Sequence, residues 1–510
     1  MYSQPKIYKN NYLSEFFTFR RFSCISYTRR TSKSKQPFLT NLFFTKYIKS
    51  VKNLKKFSLN NKFLQFPCHP RLRSGIQGVL ASVLLVTAVI TPQKANALEV
   101  FYDSQVDSYL KEITAGLVKH SSLNGVRFYL AKSPQINAFA TSNKEIVIYS
   151  GLVDKSTNIE QVQGILAHEL GHLVAQHHVK TRVKQSEMGL STITGAVLGV
   201  GAVIAGAPQA GYAAIVGGSA ADMSKALAYS REHENEADSI AVQLLKKSDI
   251  NAKGLADFFA ILQREERNFY KTTPEFLNTH PSSSRRKDFI RSNVLDGSYY
   301  TKNSDFDIFK AKVQALTQEP KKVINVYSLK EDSAAKSLAL AVAYNYQGLF
   351  DESKQELKKS QKLGLSGLWY YDILGQFEYE NAKFKESIKS YKKSANAGNN
   401  SWILDFQIAE SYHSLNNKKA LSYFLKANAK FEYFYYTYKR IADVYAKHKE
   451  MAKAYYYLAL YNSKSNKSDD AKHFLKLATK QYEKDNLEDL ILKQQIEDLE
   501  LFFKNTEKDK

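Results

Sequence analysis

Cysteine is almost absent from this chain of 510 residues: only Cys24 and Cys68 occur, both in the first seventy positions. If that leader is removed, no thiol remains, which excludes disulfides and cysteine-held zinc and suits an oxidising compartment. Proline is scarce, ten in all, and from about 335 onward helix breakers are few, which favours long helices. A long hydrophobic span is also missing. Residues 75–93 carry no charge, but their apolar heart, Val79–Ile90, is shorter than the ~20 residues a helix needs to cross a bilayer. Acidic residues are nearly absent from 1–74, where sixteen Lys and Arg stand against Glu15 alone. That stretch and Lys94 account for most of the net charge of +23. The remainder is only mildly basic, so the charge gives no ground for a nucleic-acid partner.

Residues 1–74 read as a basic leader, either disordered or upstream of the true start; an organelle transit sequence is the alternative. Arg71 and Arg73, the apolar run and Ala95-Asn96-Ala97 then read as a secretory signal over 75–97, cleaved after Ala97. Delivery to the periplasm follows as an expectation, with an uncleaved membrane anchor as the competing reading. Residues 189–221 are a second charge-free stretch, rich in Gly, Ala, Val and Ile and broken at Pro208. Its two arms are each too short to span, so it reads as an apolar insertion touching a membrane surface at most peripherally.

From 98 to 295 the pattern is α+β. Val106, Tyr109, Leu110, Ile113 and Leu117 recur at helical spacing. Asn124-Gly125 marks a turn, and Val126–Leu130, Asn137–Ala140 and Ile146–Tyr149 read as strands. Thr157 and Glu160 read as a capping box for the next helix. That helix carries His168-Glu169-Leu170-Gly171-His172. Positions i and i+4 share a helical face, so His168 and His172 point at one ion, and Glu169 falls where it takes a proton from water. A catalytic zinc site needs a third protein ligand. Two candidates stand open on spacing alone. His178 would need the helix to end at Ala175; the helix is expected to continue, leaving His177 and His178 exposed. Glu234 lies on a charged helix starting near Asp222, with Asp238 one turn on and able to orient a ligating histidine.

Residues 296–334 read as a helical connector. Beyond 335, self-similarity appears at a period near 34: Ala341, Gly375, Ala409 and Ala442 recur, with Tyr344, Tyr412 and Tyr445 three later. Ser353, Ser387, Ala420 and Ala454 follow, then Leu357, Tyr391, Phe424 and Leu458. This is the tetratricopeptide pattern, small residues where paired helices cross and large ones filling the gaps. Repeats are expected over 335–482, with a capping helix and charged tail over 483–510.

Asn137-Ala138-Phe139-Ala140, His168-Glu169-x-x-His172, Glu234-x-x-x-Asp238 and Thr279-His280-Pro281 together resemble the zinc metallopeptidase family of the CAAX-prenyl proteases and HtpX. With the signal, the apolar insertion and the repeats, the chain is most similar to the periplasmic branch of that family that assists outer-membrane β-barrel assembly. The resemblance covers roughly 98–480; the leader has no counterpart in it. It implies an α+β zincin-like metalloprotease domain, mainly helical with a small β-sheet, followed by an all-α tetratricopeptide repeat solenoid. It implies one Zn²⁺ held by His168, His172 and Glu234, with Asp238 behind them. Glu169 is the implied general base. His280 either stabilises the oxyanion or fills the fourth zinc position in a closed state. Asn137, Ala138, Phe139 and Arg286 are the implied substrate contacts, the first three through an edge strand that aligns an extended peptide. Implied partners are unfolded or misassembled proteins and, through the repeats, the outer-membrane assembly machinery. The competing reading is a scaffold or chaperone with its protease held closed, or an organellar inner-membrane protease.

Overall fold

The computed structural model describes residues 98–180, 220–268, 276–277, 280, 284–294, 300 and 303–508. The leader, the signal segment, most of the 189–221 insertion, Thr279 and Pro281 lie outside the described residues. So does every expectation placed on them. Among the described residues, no helix is long and apolar enough to cross a membrane.

A four-stranded sheet of β1 (Val100–Phe101), β2 (Arg127–Ala131), β3 (Ala138–Ala140) and β4 (Glu145–Tyr149) opens the fold. Its order is β1-β2-β4-β3. β2 and β4 run parallel, with Arg127 opposite Glu145, and β3 returns antiparallel to β4, with Ala138 opposite Ile148. β3 is therefore an edge, as the sequence suggested, and its ladder extends one residue through Tyr149 N–H to the Asn137 carbonyl at 3.0 Å. Alternation along the strands splits the sheet into two faces. Leu130, Ile146 and Ile148 join the main core beneath α1 (Ser104–Ser121) and α3 (Ile159–Val174). Val147, Tyr149, Tyr129 and Phe139 gather on the other face.

Helix α1 is capped by Asp103, whose side chain accepts from Gln105 and Val106 N–H. The cap of α3 differs from the Thr157–Glu160 box expected. Asn158 is the cap residue, accepting from Gln161 N–H at 3.0 Å, and Gln161 Oε1 reaches back to accept from Thr157 N–H at 2.7 Å. The reciprocal box has the same logic one residue later, because Asn158 takes the extended conformation that a cap requires. After α2 (Ser150–Lys155) and α3 come α4 (Ala220–Lys247), α5 (Lys253–Asn268) and α6 (Ser284–Ser292).

Two bare helix surfaces let these helices close on α3. A Cβ at Gly171 would stand 2.6 Å from the Ala237 carbonyl oxygen of α4, and one at Gly164 would stand 2.8 Å from the Leu255 backbone of α5. Such approaches are closed to any other residue.

Helices α7 (Ser304–Thr317) and α8 (Pro320–Ser328) lead to five helix pairs: α9 (Ala334–Gln347) with α10 (Phe350–Lys362), α11 (Gly367–Glu380) with α12 (Phe384–Asn396), α13 (Trp402–Ser414) with α14 (Lys419–Lys430), α15 (Tyr436–Lys447) with α16 (Met451–Lys464), and α17 (Ser468–Lys484) with α18 (Leu490–Lys508). The small residues of the 34-residue pattern mark the crossings within the pairs. Ala341, Ala409, Ala442, Ser353, Ser387, Ala420 and Ala454 are all buried. Ser353 Oγ donates to the Ala341 carbonyl across the first pair at 2.7 Å, and the Tyr391 ring lies where a Cβ at Gly375 would be. The helical repeat region follows the α+β part, as expected.

The repeats grip the α+β part through α1 and the sheet. Tyr102 meets Trp402 edge-on at 5.6 Å and Phe434 at 5.4 Å, and Trp402 stacks on Phe431 at 4.8 Å. Tyr129 of β2 also reaches Phe431. Beside them lies a buried polar knot. Ser104 Oγ and Asn399 Nδ2 both donate to Asp372 Oδ2, and Lys312 pairs with Asp103 at 2.8 Å.

Candidate metal centre

Helix α3 puts His168 and His172 one turn apart, at the level where Gly171 admits α4. That contact brings Glu234 of α4 to the same point, sixty-two positions after His172. His280 arrives from the other side. Its N–H bonds the Phe276 carbonyl at 2.7 Å, and its ring stacks on Phe276.

The four side chains offer ligand atoms that all lie within 4.8 Å of one another. His168 Nε2 is 3.1 Å from His172 Nε2, 3.3 Å from His280 Nδ1 and 3.3 Å from Glu234 Oε2. Glu234 Oε1 is 3.4 Å from His172 Nε2 and 3.2 Å from His280 Nδ1. Atoms bound tetrahedrally at about 2.0–2.1 Å to a small cation stand about 3.3–3.4 Å apart, so the spacing fits such a set. Imidazole nitrogens at 3.1–3.3 Å set lone pair against lone pair unless a proton or a cation lies among them. Donor types and spacing both fit a divalent ion.

The surroundings divide the roles. His168 Nδ1 stands 2.9 Å from Asp238 Oδ1, and Arg286 holds Asp238 through Nε at 2.6 Å and Nη2 at 2.9 Å. Arg286 Nη1 also pairs with Glu234 Oε2 at 2.9 Å. This corrects the expectation that Arg286 faces substrate. It is 3% exposed and lies behind the carboxylates, where a charge must be paired to be tolerated. Burial drives the Glu234 and Asp238 carboxyls upward. For Glu234 the hydrogen bonds of His168 and His280 outweigh it, and for Asp238 those of Arg286 and His168, so both sit below the ordinary carboxylate range. Burial lowers His168, but Asp238 and Glu234 reverse it and push the imidazole up to about 9. His172, buried beside His168 and His280, falls well below its ordinary value.

Glu169, the next residue of α3, lies beside the ligand group. It is 1% exposed, and burial pushes its carboxyl above the ordinary range, against the pull of His280 and His168. The Ala140 N–H of β3 bonds to it, and His280 Nε2 lies 3.5 Å from its Oε1. The edge strand thus runs directly past this carboxylate. On that strand Asn137 and Ala138 are buried and Phe139 is half-buried, with its ring edge-on to Tyr149.

One participant differs from the sequence reading. Helix α3 ends at Val174, and Gln176 adopts the left-handed conformation, φ 55°. The turn throws His177 back against the helix it has just left. His177 is 4% exposed, not solvent-facing, and its Nδ1 lies 2.9 Å from His172 Nδ1. His178 is half-buried and stands outside the ligand group. Gln at a left-handed position carries no sequence signal, since Gly and Asn are the usual markers.

Residues 104–294 match the model of peptidase family M48. The chain is 26% identical over 325 residues to the Beta-barrel assembly-enhancing protease of Yersinia pestis, and over 323 residues to that of Escherichia coli (strain K12). These alignments take in 61% of this chain and 66% and 65% of those proteins, so the chain spans just under two thirds of their length. It is 31% identical over 180 residues to Metalloprotease YcaL of Escherichia coli (strain K12), covering 35% of this chain and 66% of that protein. The resemblance drawn from the motifs is borne out: the α+β part matches a metallopeptidase family, and helical repeats follow it.

Proposed function

We propose that the chain is a zinc-dependent endopeptidase acting on unfolded or misassembled proteins in the periplasm, in the quality control of outer-membrane proteins. The observation that carries this reading is the meeting of His168, His172 and Glu234 at tetrahedral spacing, beside a buried Glu169. When bound, zinc supplies Lewis-acid activation of water and of the peptide carbonyl.

The chain's own residues do the rest. Asp238 and Arg286 hold His168 and Glu234 in place. Glu169, raised by burial, takes a proton from water and returns it to the leaving amine. The outer edge of β3 receives an extended peptide by strand addition, with Asn137, Ala138 and Phe139 along it. The repeats hold substrate or the assembly machinery. Support for the periplasm is the signal-like segment over 75–97 and the likeness to the Beta-barrel assembly-enhancing proteases.

The test is cleavage of unfolded outer-membrane proteins by the purified chain, together with its metal content. Wild type is expected to carry one zinc and to cleave, and Glu169→Gln to keep the zinc and lose cleavage. Equal cleavage by both proteins would remove the reading.

A second reading rests on His280. Its Nδ1 lies as close to Glu234 and His168 as a fourth ligand would, which favours a closed resting site and a chain working mainly through its repeats. His280→Ala is then expected to raise proteolysis, and unchanged proteolysis with intact binding of unfolded protein favours the scaffold alone.

A further inference from the structure

The two imidazoles of α3 are backed differently. His168 has a carboxylate, Asp238, within 2.9 Å of its Nδ1. His172 has none. Its Nδ1 meets His177 Nδ1 at 2.9 Å, and the opposite nitrogen of that ring, His177 Nε2, lies 2.9 Å from Glu236 Oε2. The chain of atoms fixes every proton if the ends are given. Glu236 accepts, so His177 Nε2 carries hydrogen. Neutral His177 then presents a lone pair at Nδ1, and His172 Nδ1 must donate to it. His172 Nε2 is left as the lone pair, turned toward His168 Nε2 and Glu234.

The ring that passes this constraint along is locked in place. His177 is 4% exposed, and it stacks on His233 with centroids 4.0 Å apart and planes 12° from parallel. The stacking partner and the terminal carboxylate come from one helix. His233 and Glu236 sit on α4, on either side of Glu234, while Gln176 sets the turn that delivers His177.

We propose that His177 is a positioning residue, which with Glu236 holds His172 in the tautomer and orientation that present Nε2 to a divalent ion. This rests on the metallopeptidase reading of the same centre. The relay makes one helix, α4, the source of a ligand and of the outer support for both histidines: Asp238 for His168, Glu236 through His177 for His172. Outer partners of this kind are worth about 10–100-fold in metal affinity.

The experiment measures zinc affinity of the metal-stripped full chain by competition with a chromophoric chelator, so no proteolysis is read. Wild type must bind zinc, and failure there removes the metallopeptidase reading instead. His177→Phe keeps a flat ring against His233 but offers no acceptor, and is expected to weaken binding by about 10–100-fold. His177→Asn places an amide oxygen where Nδ1 stood, and is expected to recover most of that loss. Glu236→Ala removes the terminal acceptor at a side chain 44% exposed, and is expected to weaken binding several-fold with no change in melting temperature. The relay is overturned if His177→Phe binds as wild type does, or if His177→Asn is as weak as His177→Phe. If His177→Phe does not fold, Glu236→Ala decides: wild-type affinity there overturns the proposal.

Discussion

Gly171 and Ala237 touch backbone to backbone, and that contact sets the distance between the histidine helix and the helix that brings Glu234. Gly171→Ala would push a methyl within 2.6 Å of a carbonyl oxygen, and neither helix can yield cheaply. Overpacking of this kind costs about 1–3 kcal/mol. The expected outcome is a lower unfolding midpoint together with weaker zinc binding, because Glu234 recedes with its helix. Wild-type affinity in the Ala variant would mean that the metal geometry does not depend on this contact.

Arg286 is the cation that keeps two buried carboxylates tolerable. Arg286→Met removes it while Glu234 and Asp238 remain, and stripping one partner from a buried pair costs about 3–5 kcal/mol. Denaturant unfolding of the metal-free chain is expected to show that loss. It is expected to be largest near neutral pH. Both carboxyls are held low in the folded state, so their stabilising contribution is present above the ordinary carboxyl range of about 4 and fades as the pH falls below it.

The pH dependence of metal binding follows from His168. In the metal-free chain its imidazole is pushed up to about 9, so an ion arriving at pH 7 must displace a proton. Affinity is expected to climb about tenfold for each pH step from 7 toward 9 and then to level off. Competition titrations at fixed ionic strength would show it. A flat profile would mean that His168 is neutral before the ion arrives.

Asp372 makes the opposite prediction for stability. Its carboxyl is 1% exposed at the junction with α1, and burial pushes it up to about 6 despite Lys312. Below about pH 4 the proton is held in both folded and unfolded chains and the group costs nothing. As the pH rises through about 6, the folded chain must either keep a proton the solvent wants or bury a charge. Asp372→Asn keeps an acceptor for Ser104 and Asn399. It is expected to stabilise the chain by about 1–3 kcal/mol at pH 8, with the gain shrinking as the pH falls from about 6 and vanishing below about pH 4. A destabilised variant at pH 8 would show that the ionised carboxylate is needed there.

Trp402 joins the sheet side to the repeats, packed on Tyr102, Phe431 and Phe434. Trp402→Ala is expected to cost about 3–5 kcal/mol. Limited proteolysis between α6 and α9 should become faster in the variant, and an unchanged digestion pattern would place the grip elsewhere.

Much of this was legible in the sequence, for physical reasons. Periodicity finds elements that bury a face, so α1, the three longer strands and the 34-residue repeat stood out. The ligand group was legible in part because i and i+4 on a helix share a face whatever the rest of the fold does. Glu234 was only partly so: spacing favoured it over His178 but did not place it at the site, because nothing local says that α4 returns to α3. Two details failed for one reason, the difference of a single residue in backbone conformation. Thr157 and Asn158 are both able to cap, and only the extended backbone at 158 decides between them. Gln176 turns left-handed with no residue type announcing it, which hid His177 inside.

Helix α1 touches α3 on one side and α11 and α13 on the other, and Gln163 of α3 reaches its Ile113 carbonyl at 2.8 Å. A single rod is thereby shared between two halves that the sequence makes look separable. A fragment ending near 295 would leave Tyr102, Tyr109 and Ser104 facing water. Heating the whole chain should give one sharp transition rather than two, and recombinant pieces of either half should be poorly soluble.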